Sequence, residues 1–365
     1  EISAEKGYLR EFGNIVFHFS LLALLAAIAV GKLFSYEGNV IVIADGGPGF
    51  CSASPAAYDS FRAGNNVDGT SLYPMCVRVN DFQARYLPTG QATSFAADID
   101  YQAGGDLATG TWKPYRLEVN HPLRVGGDRL YLQGHGYAPT FTVVFPNGQK
   151  RTQTVQFRPD NARTLLSSGT VRVDPPAGLY PADERRKHQL AITGLFAPTQ
   201  QMDGKLLSSS SPAMTDPAVA IDIYRGDAGL DTGRPQSLFS IDTRLIDQKR
   251  LTKLKRINLG VGEEVRLDDG TVVRLDGAKE FVNLQVSHDP GQVWVLVSAM
   301  TMMAGLLVSL VVRRRRVWAR ITAAPATSSA GTVNVEFGGL ARTDNSGWGE
   351  ELDNLSQKIL NSERT

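Results

Sequence analysis

The side chains best able to ligate a metal or carry covalent chemistry are five histidines, His18, His121, His135, His188 and His288, and two cysteines, Cys51 and Cys76. No histidine lies three or four residues from another, so the local spacing of a zinc site is missing. The cysteines form no CxxC pair, the usual arrangement for thiol exchange, and read more simply as a structural disulfide of an oxidising compartment. Walker, GxGxxG, HExxH and GxSxG motifs are also missing. The carboxylates are scattered through loops. These observations point to a binding or carrier component without an independent hydrolase or oxidoreductase active site.

His18 stands apart from the rest. It sits in NIVFHFSLLALLAAIAV, an otherwise uncharged and almost wholly apolar run. A polar group in apolar surroundings needs a partner. A neutral imidazole there can serve as an axial ligand of haem iron, or it can hydrogen-bond to a neighbouring helix, and the residues alone leave both open. On a helix its face carries Leu22, Leu25 and Ala29, while Gly13, Ser20, Ala23, Ala27 and Gly31 form a small-residue stripe nearly opposite, suited to close helix packing.

The element that positions His18 is the apolar run 12–34, and a second run, 293–312, stops at Arg313-Arg314-Arg315-Arg316. Each is long enough to cross a bilayer, which takes roughly 20 apolar residues. Arginines after the second run, with Lys6 and Arg10 before the first, predict cytoplasmic termini and an outside segment 35–292, although Lys32 disagrees. The formal net charge is +1, and the basic run lacks aromatic interleaving, so nucleic acid is not an expected partner.

The outside segment has β texture, with strands expected at 39–45, 76–86, 94–101, 115–119, 130–133, 141–145, 152–157, 170–173, 190–193, 219–224, 264–267, 272–275 and 282–287. Pro146-Asn147-Gly148 marks a hairpin, and the serine-rich loop 203–217 is the best internal boundary. A cytoplasmic tail, 313–365, holds a Ser/Ala/Thr-rich connection at 322–332, a short strand at 333–337 and an amphipathic helix over about 346–361. Trp348, Leu352, Leu355 and Ile359 share one face of that helix, which docks on a membrane, on a partner or on the protein's own cytoplasmic ends. The first residue is Glu1 rather than Met, so the chain is read as part of a longer polypeptide.

Several stretches, in this order around the two runs, carry a family likeness: GNIVFHFSLL, VNDFQARYLPTGQATSFAADI, LEVNHPLRVGGDRLYLQGHGYAP, YRGDAGLDTGRPQSLFSID, LQVSHDPG, RRRRVWAR and FGGLARTDNSGWGEE. The chain resembles the ResB (CcsB) family of system II cytochrome c biogenesis proteins, nearest to its actinobacterial form. The resemblance implies four spans, of which this chain would hold the last two, and a membrane partner of the ResC (CcsA) type. It also implies haem b as a transported, transiently bound cofactor, delivered to the CxxCH thiols of apocytochrome c. The tryptophan-rich haem motif of the family belongs to ResC, and the scattered Trp112, Trp294, Trp318 and Trp348 match the ResB half.

By this resemblance His18 matches a histidine proposed to ligate haem iron on its way through the membrane. His288 in HDPG is a second candidate to face haem, against a plainer reading as a turn residue. His121 and His135 read as loop residues, and Lys249, Arg250, Lys253, Lys255 and Arg256 as a solvated basic face able to attract haem propionates or an acidic partner. Asp344 and Glu350 fall in FGGLARTDNSGWGEE, the stretch of the tail that carries the likeness. The family does not depend on Cys51 and Cys76, which keeps the disulfide reading.

The expectation is a multi-pass protein of the plasma (inner) membrane, with transmembrane α-helices flanking a large β-rich extracytoplasmic domain and a short α/β cytoplasmic tail. Its role would be that of a ResB-like, non-catalytic or co-catalytic subunit of a cytochrome c haem lyase complex. The alternative is an envelope sensor or assembly scaffold whose outer domain binds a ligand or protein.

Overall fold

Two long apolar helices and a large β-rich body dominate the computed structural model, which describes residues 1–231, 233, 236–323, 333–341 and 348–362. The chain divides into two units, one of Glu1–Ser35 with Asp289–Thr365 and one of Tyr36–His288. The connection at 324–332, Asp344 and the expected start of the tail helix at 346 lie outside the described residues.

In the first unit, helix α1 (Leu9–Phe34) packs along helix α2 (Gln292–Val311). At 1.5 Å per residue they are about 39 and 30 Å long. The buried residues are Gly13, Ser20, Ala27 and Gly31 on α1, with Ser298 and Gly305 on α2. The backbones touch. A Cβ on Gly13 would lie 2.8 Å from the Gly305 carbonyl oxygen, and one on Gly291 would lie 2.4 Å from that of Ala27. Ala23 is exposed instead, because 100° per residue puts it roughly 80° away from the line through Gly13 and Gly31. Large apolar side chains such as Phe12, Phe19, Trp294, Met300 and Leu310 are left uncovered.

The flanks of this pair are more ordered than the sequence suggested. Ile2–Lys6, ahead of α1, pairs with Arg315–Ala323, which pairs with Val333–Ala341. Arg314 is held between Glu5 and Glu11, so the arginine run is anchored at its second position. Helix α3 (Trp348–Ser362) lays Trp348, Leu352, Leu355 and Ile359 toward Ile2, Val317 and Phe337 around an apolar cavity of about 400 Å³, and Arg315 pairs with Glu351.

The second unit is antiparallel β throughout its principal sheets. Its leading strands are β1 (Tyr36–Ile43), β2 (Met75–Tyr86), β3 (Ala92–Ala103), β4 (Asp128–Val144), β5 (Ala218–Gly226), β6 (Leu251–Gly260) and β7 (Val272–His288). A seven-stranded sheet has β4, β7 and β1 side by side at its centre. A four-stranded sheet around β2 and β3 covers one end of it, with Val77, Ile99 and Leu117 packed on Val40, Leu130, Leu132, Leu284 and Val286. A five-stranded sheet ending in β5 and β6 covers the other end, where Val171, Ile192 and Ile221 meet Phe141, Val143, Val273 and Leu275.

Two 17-residue strands, β4 and β7, therefore run through both cores. Each carries an irregularity that keeps one face inward. On β7 the fully buried residues are odd-numbered at Val273 and Leu275 and even-numbered at Val282, Leu284 and Val286, with a register shift between Leu275 and Gly277. On β4 they change from Leu130 and Leu132 to Phe141 and Val143, across the shift at Asn283/Leu284 of its partner. One extra residue reverses the alternation, and so restores burial on the same face.

The stretch 203–217 is not an open loop. Leu206–Ser209 pairs with Gln200–Asp203, Leu207 is buried, and Ser209 donates to the Thr164 carbonyl at 2.9 Å.

Candidate functional site

His18 lies in the third turn of α1 and is exposed, as are its face neighbours Leu22, Leu25 and Ala29. Gly13, Ser20, Ala27 and Gly31 take the packed side, so the imidazole is directed away from α2. Its ring contact is an edge-on one with the adjacent Phe17, at 5.2 Å between centroids. Among the described residues nothing hydrogen-bonds to it. The helix thus presents one imidazole on an uncovered apolar face.

A second arrangement is built at one end of the central sheet. Tyr36, His288 and Asp128 are register partners across β1, β7 and β4, so their side chains emerge in one row on the face that carries Leu130 and Val286. Tyr36 and His288 are also the first and last residues of the β-rich unit. Asp128 is 1% exposed. The Tyr36 hydroxyl donates to its Oδ2 at 2.5 Å, and His288 Nδ1 lies 2.9 Å from its Oδ1. A carboxylate can only accept, which assigns the hydrogen to Nδ1 and leaves the lone pair of the neutral ring on Nε2. The imidazole is held flat against the Tyr36 ring, 5.2 Å between centroids and 10° apart in plane. On its edge, a Cβ on Gly127 would approach the ring's Cε1 to 3.2 Å, and φ of +90° there also favours glycine.

Burial pushes the Asp128 carboxyl upward against the lowering effect of its bonds to Tyr36 and His288. Burial and the Asp128 carboxylate together raise the Tyr36 hydroxyl far above its ordinary range, so it stays a donor. The His288 side chain remains 31% exposed. The expectation of a turn residue is therefore corrected: the strand ends on His288, and the turn follows it.

The other sequence candidates are dispersed. His135 belongs to β4, not to a loop. Its ring packs among Phe82, Phe95 and Tyr137, its Nε2 is 2.5 Å from the Tyr86 hydroxyl, and burial lowers its pKa to about 4. Beside it in β7, burial and the Asp81 charge raise Glu280 to about 7. His121 is exposed near Glu118, and His188 stacks on Tyr180 at 3.7 Å. Cys51 and Cys76 are opposite each other in a short ladder and are joined by a disulfide.

The basic cluster belongs largely to edge strand β6, where Lys253 pairs with Asp222 at 2.8 Å; nearby, Arg250 pairs with Asp227 at 2.6 Å. Glu350 lies in the first turn of α3. Among the described residues no three His, Cys, Asp or Glu side chains gather to hold a bare metal ion.

Asp128 and Tyr36 escaped the sequence reading. They lie 160 and 252 positions from His288 in a chain where only the pairing of β1, β4 and β7 joins them. The GGD turn before β4 was a signal for a strand start and nothing more.

The ResB-like family matches residues 1–353. A cytochrome c biogenesis protein CcsB of Synechococcus sp. (strain JA-3-3Ab) is 30% identical over 128 residues, which are 35% of this chain. The aligned part is 24% of that relative, whose length extends far beyond the shared stretch.

Proposed function

The chain belongs to the ResB-like family, and from that premise we propose that it serves cytochrome c biogenesis as a membrane subunit that handles haem b for attachment to apocytochrome c. In this reading α1 and α2 cross the bilayer, Tyr36–His288 is extracytoplasmic, and the small sheet with α3 is cytoplasmic. Lipid or partner helices cover the apolar residues that α1 and α2 leave open, since a helix of a soluble core would bury them. The arginines beside α2 fit the cytoplasmic side.

The observation that carries the proposal is the His18 imidazole, which has no hydrogen-bond partner among the described residues and lies opposite the packed stripe of α1. A neutral imidazole can fill one axial position of haem iron, and the uncovered Leu22 and Leu25 offer apolar surface to a porphyrin. One histidine supplies one ligand, and the other axial ligand comes from a ResC (CcsA)-type partner. The iron-binding role asks of the chain that it orient and desolvate; thioether formation belongs to the joint complex.

The test is co-purification with the ResC-type partner of the same organism, comparing wild type with His18→Ala. The substitution should remove at least half of the bound haem and shift the Soret band of the remainder. Unchanged haem content and spectrum would overturn the assignment.

A further inference from the structure

We infer that the Tyr36–Asp128–His288 row is a second haem-iron site, in which His288 Nε2 is the axial ligand and Asp128 and Tyr36 position it; this rests on the reading that the protein handles haem. Three observations converge. The Nδ1–H of His288 bonds to a carboxylate that is 1% exposed, which fixes the tautomer with its lone pair on Nε2. The ring is confined between Tyr36 and Gly127, so its direction is set by the sheet rather than by a loop. Its side chain keeps 31% of its exposure, and among the described residues no hydrogen bond engages Nε2.

The number of donors selects the ligand. A free transition-metal ion needs three or four protein ligands, and none of the described residues supply such a group here. In haem the porphyrin already fills four positions on iron, so a single oriented imidazole suffices. A carboxylate behind the ring also makes it a stronger donor to iron, an outer interaction whose loss costs about 10–100-fold in metal affinity. The plainer role for Asp128, a structural clasp between β1, β4 and β7, requires no exposed imidazole, and the His288 side chain is 31% exposed. The row lies at the two ends of the β-rich unit, one residue after Ser35 and four before Gln292. If α1 and α2 span the bilayer, it stands where the chain enters and leaves the membrane.

The experiment uses the full chain in detergent, titrated with ferric haemin, in wild type, His18→Ala, His288→Ala, His288→Met and Asp128→Asn forms. Near-ultraviolet circular dichroism reports folding. His18→Ala is expected to retain a haemin-binding phase that His288→Ala removes and free imidazole restores. His288→Met should keep that phase with a changed Soret band. Asp128→Asn should weaken it about 10–100-fold and lower the iron–histidine stretching frequency of the ferrous form. A purely structural Asp128 would leave that frequency unmoved.

The proposal is overturned if His288→Ala, or His288→Met where the alanine form is unfolded, leaves every phase and band unchanged. Loss of all binding in His18→Ala alone would overturn it while sustaining the His18 reading. Loss of the phase in His288→Ala alone, with His288→Met retaining it, would do the reverse. Binding that no variant alters would remove both.

Discussion

Glu280 offers the sharpest quantitative test of the β-rich unit. Its carboxyl sits in β7 beside Asp81 and the aromatic group around His135, and burial with the Asp81 charge lifts it from 4.5 to about 7. Below pH 4.5 the group is protonated in both folded and unfolded chains and has no effect on stability. Between 4.5 and 7 the unfolded chain gives up its proton while the folded one keeps it, so stability falls as pH rises through that window. A rise from 4.5 to about 7 corresponds to about 3 kcal/mol, or about 2 kcal/mol once the remaining solvent contact screens the charge. Glu280→Gln keeps the shape and removes the ionisation. It should therefore stabilise the protein by about 2 kcal/mol at pH 8 and by almost nothing at pH 4.5. For a unit of this size that is roughly 4–8 °C in Tm. Thermal melts of the detergent-purified chain, followed by near-ultraviolet circular dichroism from pH 4.5 to 8, measure it. His135, held near 4 by burial, tilts the wild-type curve the other way below pH 6.5, so the quantity to read is variant minus wild type at each pH. A difference that is flat with pH, or a variant less stable at pH 8, would refute the assignment of a buried, ionisable Glu280.

Three further variants probe the helix packing and the disulfide. Gly305→Leu drives a side chain into the backbone of α1, where a Cβ alone would already lie 2.8 Å from Phe17 N, and should cost about 1–3 kcal/mol. Ala23→Leu, on the uncovered face of the same helix, should leave the detergent melting temperature unchanged, and equal melts for the two would contradict the packed stripe. Replacing both Cys51 and Cys76 by serine should lower stability by about 3 kcal/mol, from the 25-residue separation they close. Thermal unfolding gives the value, and free thiols in the native protein by mass spectrometry would defeat the disulfide.

The helix pair was legible because its signals are local. Small residues at 13, 20, 27 and 31 and the imidazole at 18 fall on opposite sides of any α-helix, whatever surrounds it. From sequence alone 130–133 and 141–145 are separate strands, as are 272–275 and 282–287, yet each pair belongs to a single strand. The cause is physical. A bulge reverses the in–out alternation partway along, so a period-2 reading sees two short strands and a break, while the chain continues. A different masking hid Arg315–Ala323. Val317, Ala319 and Ile321 alternate with Arg316, Trp318 and Arg320, a good strand signal that the four-arginine run, read as a membrane flank, overshadowed.

The row at Tyr36, Asp128 and His288 illustrates the deeper limit. Nothing within ten residues of Asp128 marks it as different from the other acids of the chain, and HDPG marks a turn more strongly than it marks a ligand. What distinguishes the three is the antiparallel register, in which Tyr36 pairs with His288 and His288 with Asp128. That register follows from where the bulges fall, because a one-residue slip of β4 would turn Asp128 off the core face and place Arg129 opposite His288. An isolated carboxylate at 1% exposure would be strongly destabilising. Two donors from different strands make it tolerable, and the same two bonds leave an oriented imidazole at one end of the sheet. Stability of the buried acid and direction of the exposed ring are one arrangement, so any change to Asp128 must be read for both.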